Sequence, residues 1–161
     1  MDKDLVYFKS PIGTVKITGN QDGIDSVLFI DETIETSITV PIHLKNCLLQ
    51  LEEYFKGIRK DFSLKLNPNG TDFQYSVWEE LKRIPFGKTR SYMEQTKVLG
   101  NLKAIRAVAS ANGKNPISII IPCHRVIGSD GSLTGYAGGL WRKKWLLEHE
   151  NPSRQTSLFN F

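Results

Sequence analysis

Residues 91–113 read SYMEQTKVLGNLKAIRAVASANG, and this stretch decides the fold of the C-terminal half of the chain. Ser91 followed three residues later by Glu94 is the capping-box pattern that opens a helix, and Gly100 ends that helix. Asn101 can cap a second helix. Two helices joined by a short glycine-containing turn are the helix-turn-helix signature. An ordinary helical hairpin packed in a core has the same pattern, so the stretch alone does not establish DNA binding.

The second helix of this pair is predicted over residues 102–112, with Gly113 as its end. It is unusually rich in small side chains, which permit the close approach of another surface. These are Ala104, Ala107, Ala109, Ser110 and Ala111.

The N-terminal part of the chain has the pattern of a small sheet followed by a helix. Three runs rich in β-branched and aromatic residues, over 5–8, 14–18 and 24–30, predict strands, with a turn signal at 10–13. Residues 41–55 follow with apolar residues at helical spacing: Leu44, Leu48, Leu51 and Phe55. Cys47 lies on the same stripe, so we expect it in the core and assign it no function.

Two further helices and a change in composition complete the organisation. Residues 58–70 turn polar, and Thr71 with Gln74 then opens a helix that carries Phe73, Val77, Trp78 and Leu81 on one face. A last helix is predicted over 140–150. We therefore expect an N-terminal domain over 1–66, a second domain over 71–150, and a tail over 151–161 that could be flexible.

Composition restricts the class of protein. The chain has 161 residues, 40% of them hydrophobic, and no apolar stretch long enough to span a bilayer, so we expect a globular protein without a membrane segment. Two cysteines are too few for a disulfide framework, and no secretion signal is evident, so a reducing cytoplasm is expected.

Residues 1–70 carry a net charge of −2 and residues 71–161 one of +6. A basic half suits a nucleic-acid partner, although a solvated basic surface is an equally good reading.

A cysteine beside a histidine is the strongest chemical signal. Residues 121–127 read IPCHRVI, which places Cys123 and His124 in an otherwise apolar run. Both side chains could be structural, or they could be a reactive thiol and its base. Adjacent helical residues point about 100° apart, so a bridging water would have to link the two. The histidine then needs a carboxylate on its other nitrogen, and Glu150 is one candidate among several.

The chain resembles the O6-alkylguanine-DNA alkyltransferases, also called methylated-DNA–protein-cysteine methyltransferases. The segment Pro122-Cys123-His124-Arg125-Val126 is similar to their acceptor-cysteine motif. Further matches follow in family order over about 71–150, and residues 1–66 match loosely. They are Phe73-Gln74, Val77-Trp78, Pro85-Phe86-Gly87, Ser91-Tyr92, Arg106-Ala107-Val108, Asn115-Pro116, Gly138-Gly139-Leu140 and Leu146-Leu147.

The resemblance implies an α+β fold and a suicidal repair reaction. The fold would be a small N-terminal antiparallel sheet with a helix, RNase H-like, followed by a mostly helical domain with the helix-turn-helix. The enzyme would be a methylated-DNA–protein-cysteine S-methyltransferase that moves the alkyl group of O6-alkylguanine irreversibly onto Cys123, with O4-alkylthymine as a second candidate substrate. His124 would be a water-mediated base oriented by Glu150, Tyr92 would assist the leaving group and rotate a phosphate, and Asn115 would support the cysteine loop.

The resemblance also implies the substrate and DNA contacts. The nucleotide would be flipped out of duplex DNA, with the helix-turn-helix in the minor groove. Arg106 would fill the vacated space in the base stack. The remaining contacts would come from Val126, Tyr136, Ala137 and Gly138 on the guanine, and from Ser91, Tyr92, Lys103, Ala107, Ala111 and Lys114 on the DNA.

The remaining expectations concern cofactors, metals and other partners. The reaction needs no cofactor, and one cysteine in the N-terminal region gives no zinc site of the kind that some relatives carry. We expect a monomer. In the tail, Gln155 with Ser157-Leu158-Phe159 resembles the short sliding-clamp-binding peptide of bacterial repair proteins, and packing of the tail on the domain is the alternative. Gln155, Leu158 and Phe161 also fit the related eukaryotic and archaeal pattern, without its last aromatic residue. A non-catalytic helix-turn-helix module that only recognises lesions is the alternative to the enzyme.

Overall fold

The computed structural model describes residues 2–154, which form two compact units. The N-terminal unit runs to Asn69 and includes Pro116–Ser118, and the C-terminal unit contains Gly70–Asn115 and the residues from Ile119 onward. A three-stranded antiparallel sheet and five α-helices in the described residues confirm the α+β class. Among these residues, no helix combines the length and the apolar character that crossing a membrane requires.

The sheet of the N-terminal unit is a meander of three antiparallel strands. They are β1 (Asp4–Ser10), β2 (Gly13–Asn20) and β3 (Gly23–Ile30), each longer than its predicted run. Gly13 has a φ of 112°, which a side chain would strain, and this lets the chain reverse tightly between β1 and β2. One face of the sheet supplies core residues: Val6, Val15, Ile17 and Val27.

The first helix, α1 (Lys45–Phe55), begins later than predicted because residues 42–44 form a 3₁₀ turn closed by the bond from the Leu44 amide to the Pro41 carbonyl. Cys47 is buried on this helix, as expected. Gln50, which the pattern did not single out, exchanges two hydrogen bonds with the backbone of Ser63. This exchange fixes the polar segment after α1 to the helix.

The C-terminal unit opens with α2 (Asp72–Leu81). Both hydrogen bonds of the predicted capping box are present between Thr71 and Gln74. Val77, Trp78 and Leu81 are buried, but Phe73 is 41% exposed, so the prediction that it shares the buried face is wrong. Phe73 lies in the first turn of the helix, before the buried stretch begins.

The helix-turn-helix consists of α3 (Tyr92–Val98) and α4 (Ile105–Gly113). Its capping box at Ser91 is formed, and Gly100 adopts a φ of 91° in the turn. The second helix does not begin at residue 102: a 3₁₀ turn over Leu102–Ala104, capped by Asn101, precedes it.

Two short strands bring the predicted acceptor segment close to this helix pair. The strand β4 (Arg90–Ser91) leads directly into α3 and pairs in parallel with β5 (Val126–Ile127), which follows the cysteine. The last helix, α5 (Leu140–Glu150), starts after Gly139, whose φ of 91° favours glycine. The β4–β5 pair is too short for the sequence pattern to indicate.

Candidate active site around Cys123

The Cys123 side chain lies at a cleft in the C-terminal unit. A 3₁₀ turn over Cys123–Arg125 follows Pro122, and β5 holds its far end. The thiol is partly accessible and lines a cleft of about 530 Å³ together with residues from α3, α4 and the loop before α5. Cys123 therefore stands where a bound molecule could reach it.

Asn115 connects the end of the helix-turn-helix to the cysteine. Its Nδ2 donates to the Ile121 carbonyl over 2.7 Å and to Cys123 Sγ over 3.3 Å. Between these residues, buried Ile119 has a φ of 73°, which is strained for a β-branched side chain. The Asn115 amide thus orients both the loop backbone and the sulfur.

Burial raises the pKa of the Cys123 thiol, since it penalises the charged thiolate. The hydrogen bond from Asn115 and the positive charge of Lys143 act in the opposite direction without cancelling the effect. The resting site therefore holds a thiol, and a base is needed when the sulfur becomes a nucleophile.

A buried network of three side chains lies behind the cysteine. His124 Nε2 is 2.7 Å from Glu150 Oε2, and Arg125 reaches both oxygens of the same carboxylate, at 2.8 Å from Nε and 3.1 Å from Nη2. Arg125 also donates to the Ile84 carbonyl over 2.6 Å. Burial alone would raise the pKa of Glu150, but His124 and Arg125 hold it far below its usual range. Glu150 is therefore an anion.

The protonation of His124 follows from that charge. Because an ionised carboxylate only accepts hydrogen bonds, Nε2 must donate to Glu150. Burial lowers the pKa of His124 despite the nearby carboxylate, so the ring is neutral and Nδ1 carries the lone pair. Nδ1 is buried and has no hydrogen-bond partner among the described residues. This nitrogen is free to accept a proton.

Cys123 and His124 share no direct hydrogen bond within the described part of the chain, in agreement with the geometry of adjacent residues. The hydrogen bond to the sulfur comes instead from Asn115. A water between Sγ and His124 Nδ1 would complete a path for the proton.

Lys143 is a site residue that the sequence reasoning missed. It is fully buried on α5, and its Nζ donates to the carbonyls of Thr134 and Gly135 over 2.9 and 3.3 Å. Tyr92 donates its hydroxyl to the same Thr134 carbonyl over 2.9 Å. Burial lowers the pKa of Lys143 to about 8. Its spacing of seven residues from Glu150 places both on one face of the helix, which was the available signal.

The other predicted site residues lie in different places. Tyr92, Arg106, Tyr136 and Ala137 line the cleft with Cys123. Val126 is buried in β5, and the Gly138 carbonyl accepts a hydrogen bond from Arg142. Neither Val126 nor Gly138 is among the residues that line the cleft.

The predicted DNA-contacting residues are mostly accessible. Lys103, Ala107 and Lys114 are exposed, and Ser91 is partly exposed at the start of α3. Ala111 departs from the expectation, because it is 3% exposed and its carbonyl accepts a hydrogen bond from buried Trp78. It faces the core and is not part of the accessible face of α4.

Within residues 2–154, no cluster of three or more His, Cys, Asp or Glu side chains could hold a metal ion. The predicted clamp-binding residues Gln155, Leu158 and Phe161 lie outside the described residues.

Two family models match the chain in succession. Residues 6–68 match the ribonuclease-like domain of 6-O-methylguanine DNA methyltransferase, and residues 72–152 match the DNA-binding domain of the same family. Together they cover most of the chain.

Individual relatives agree with these models. The methylated-DNA–protein-cysteine methyltransferase of Methanosarcina acetivorans is 48% identical over 148 residues, which is 89% of this chain and 95% of that protein. The protein of the same name from Mycobacterium tuberculosis is 44% identical over 156 residues, 94% of each chain.

Solved structures agree as well. The crystal structure of the M. tuberculosis O6-methylguanine methyltransferase superimposes with a TM-score of 0.84 at 41% identity, covering 94% of both chains. That of M. tuberculosis OGT in complex with DNA gives 0.82 at 44% identity, covering 91% of both. With the acceptor motif, its buried His–Glu pair and this coverage, the chain belongs to the methylated-DNA–protein-cysteine methyltransferase family.

Proposed function

We propose that this protein repairs O6-alkylguanine in duplex DNA by transferring the alkyl group irreversibly to Cys123. The observation that carries the proposal is the thiol at the cleft beside a buried His124, whose Nδ1 has no hydrogen-bond partner among residues 2–154 and whose Nε2 is bound to Glu150. Sγ attacks the alkyl carbon in line with its bond to O6. The S–C bond forms as the C–O6 bond breaks, and guanine leaves with the electron pair and takes up one proton, which balances the proton that the thiol gives up.

The proton path follows from the assignment of the histidine. The thiol proton passes through a water to Nδ1 of His124, and the resulting imidazolium is stabilised by the Glu150 carboxylate. Arg125 keeps Glu150 ionised and fixed. Tyr92 lines the cleft, and we propose that its hydroxyl turns from the Thr134 carbonyl to the departing guanine and assists its departure. The thioether product is stable, so each molecule reacts once and no cofactor is required.

Duplex DNA is the proposed substrate, bound through its minor groove by the helix-turn-helix. The target base must leave the stack to reach a thiol inside a cleft, at a cost of a few kcal/mol. Arg106 is exposed on α4 and also lines the cleft, which suits a side chain that fills the gap left by the base. Exposed Lys103 and Lys114 suit phosphate contacts, and Ala107 permits close approach of α4. Main-chain groups of the Val126 and 136–138 segments are proposed to hold the guanine.

The test uses an oligonucleotide duplex with one O6-methylguanine. Nucleoside analysis after incubation should show conversion of the lesion to guanine, one lesion for each protein molecule. Cys123→Ala should abolish conversion and leave DNA binding intact, and Cys47→Ala, in the N-terminal core, should convert normally. Binding of the duplex by the unchanged protein without conversion would instead support a lesion-recognition module.

Two finer proposals concern partners and compartment. The protein acts as a monomer in the reducing cytoplasm, which keeps its acceptor thiol available. The segment over 155–161 binds a bacterial sliding clamp weakly, by its resemblance to clamp-binding peptides. A peptide of this segment should bind a purified clamp, and the same peptide with Leu158→Ala should not. No binding by either peptide would remove the clamp proposal and leave the repair proposal untouched.

A further inference from the structure

A buried pair of side-chain amides joins the two helices of the helix-turn-helix. Gln95 on α3 donates from Nε2 to Asn112 Oδ1 over 3.0 Å, and Asn112 on α4 donates from Nδ2 to Gln95 Oε1 over 2.9 Å. Gln95 is 0% exposed and Asn112 is 6% exposed. Neither amide is used in the proposed proton path, and the polar groups of each are bonded to the other. A helix pair of this size could be joined by apolar side chains alone, so the polar pair calls for an explanation.

The two amides lie between the DNA-facing helix and the acceptor. Gln95 follows Tyr92 by three residues on α3, which places both on neighbouring positions of one helix face. At the other end, the backbone carbonyl of Asn112 accepts a hydrogen bond from the backbone N–H of Asn115 over 3.2 Å. Asn115 in turn donates to Cys123 Sγ. A continuous series of contacts therefore runs from the helix of Tyr92 to the sulfur.

We propose that Gln95 and Asn112 form a positioning pair that sets the distance between the DNA-contacting helix pair and the acceptor thiol. Two reciprocal hydrogen bonds fix both the separation and the register of α3 and α4, whereas apolar side chains in the same place would allow the helices to slide. The register matters because Tyr92 and Arg106, one on each helix, line the cleft with Cys123. This inference rests on the proposed reaction.

The position of each amide decides which residue is changed in the test. Asn112 itself lines the cleft, so its replacement would alter the substrate's surroundings directly. Gln95 is not among the residues that line the cleft. Gln95→Leu removes both hydrogen bonds, and Gln95→Glu keeps the size of the side chain but cannot donate when ionised.

The experiment measures two rates on each protein. One is methyl transfer from a duplex containing O6-methylguanine, which needs the helix pair in register. The other is alkylation of Cys123 by iodoacetamide, which needs only the thiol. We expect Gln95→Leu to lower the first rate by about tenfold or more, because displacements near 1 Å cost up to about 100-fold, and to leave the second nearly unchanged. Gln95→Glu should lower the first rate in the same direction.

Val108→Ala is the matched control, since Val108 is buried on α4 and its side chain has no group that can form a hydrogen bond to the pair. It should lower the unfolding temperature and leave the ratio of the two rates unchanged. If Gln95→Leu does not fold, Gln95→Glu decides the question. Equal changes in both rates, or no change in either, would overturn the positioning role. Absence of methyl transfer by the unchanged protein would instead overturn the proposed reaction.

Discussion

Replacing Glu150 by glutamine removes the charge on which the buried network behind Cys123 depends. Arg125 is 6% exposed and directs Nε and Nη2 at that carboxylate, so the change leaves a buried guanidinium without its counter-charge. Breaking a buried ion pair by removing one partner costs about 3–5 kcal/mol. Domains of this kind are stable by about 5–15 kcal/mol, so we expect Glu150→Gln to fold with a clearly lower unfolding midpoint.

The same change should also slow the reaction. The proton that leaves the thiol makes His124 an imidazolium, and Nε2 is 2.7 Å from the carboxylate that stabilises it. A neutral amide cannot stabilise that charge. General-base catalysis contributes roughly 10²–10⁴-fold, so the rate of methyl transfer should fall by about 100-fold or more.

The assay is a quenched-flow measurement of the second-order rate constant on methylated duplex, with urea unfolding on the same samples. Arg125→Met is the control, because it breaks the same ion pair while leaving the His124–Glu150 hydrogen bond. It should lose comparable stability, and its rate should fall less than that of Glu150→Gln, because the carboxylate keeps its hydrogen bond to His124. A folded Glu150→Gln protein that reacts within about threefold of the unchanged protein would refute the proposed proton path.

Three other outcomes are expected. Arg106→Ala should slow transfer from duplex DNA while leaving the reaction of Cys123 with iodoacetamide unchanged, because Arg106 is proposed to act only on the opened duplex; slowing of both reactions would contradict this. Lys143→Met removes a buried positive charge that favours the thiolate, so the pH profile of the iodoacetamide reaction should move to higher pH, and an unmoved profile would exclude this influence. Since burial lowers the pKa of His124 below its ordinary 6.5, the unfolded chain binds the extra proton more tightly, and the free energy of unfolding measured in urea should decrease as pH falls below 6.5. Stability that is constant from pH 7 to pH 5 would contradict a neutral, buried His124.

The helices and strands were largely predictable, because their signals are local. Both capping boxes, at Thr71 and at Ser91, are present as the sequence indicates. Helix starts were less accurate: two helices are preceded by 3₁₀ turns that the spacing of apolar residues does not distinguish from α-helix.

The candidate acceptor Cys123 could be singled out from the sequence, and most of its surroundings could not. Cys123 stands out because it interrupts an apolar run beside a histidine. Glu150 was only one of several candidate carboxylates, since nothing local connects it to His124, 26 residues away. The roles of Arg125 and Lys143 depend on which carbonyls and carboxylates the folded chain brings to them. Such contacts cannot be obtained from spacing.

The Gln95–Asn112 pair could not be predicted from the sequence either. A polar residue on a predicted helix is normally assigned to the exposed face. Both amides are buried because each satisfies the other, and that compensation is visible only when the two helices are placed together.

The central claim is that Cys123 itself receives the alkyl group, and peptide mapping tests it most directly. The protein is incubated with an excess of duplex that contains one O6-methylguanine, then digested and analysed by tandem mass spectrometry. We predict a single added methyl group on the sulfur of Cys123, with Cys47 unmodified. Conversion of the lesion with the methyl group on any other residue, or with no methylated peptide, would contradict the account.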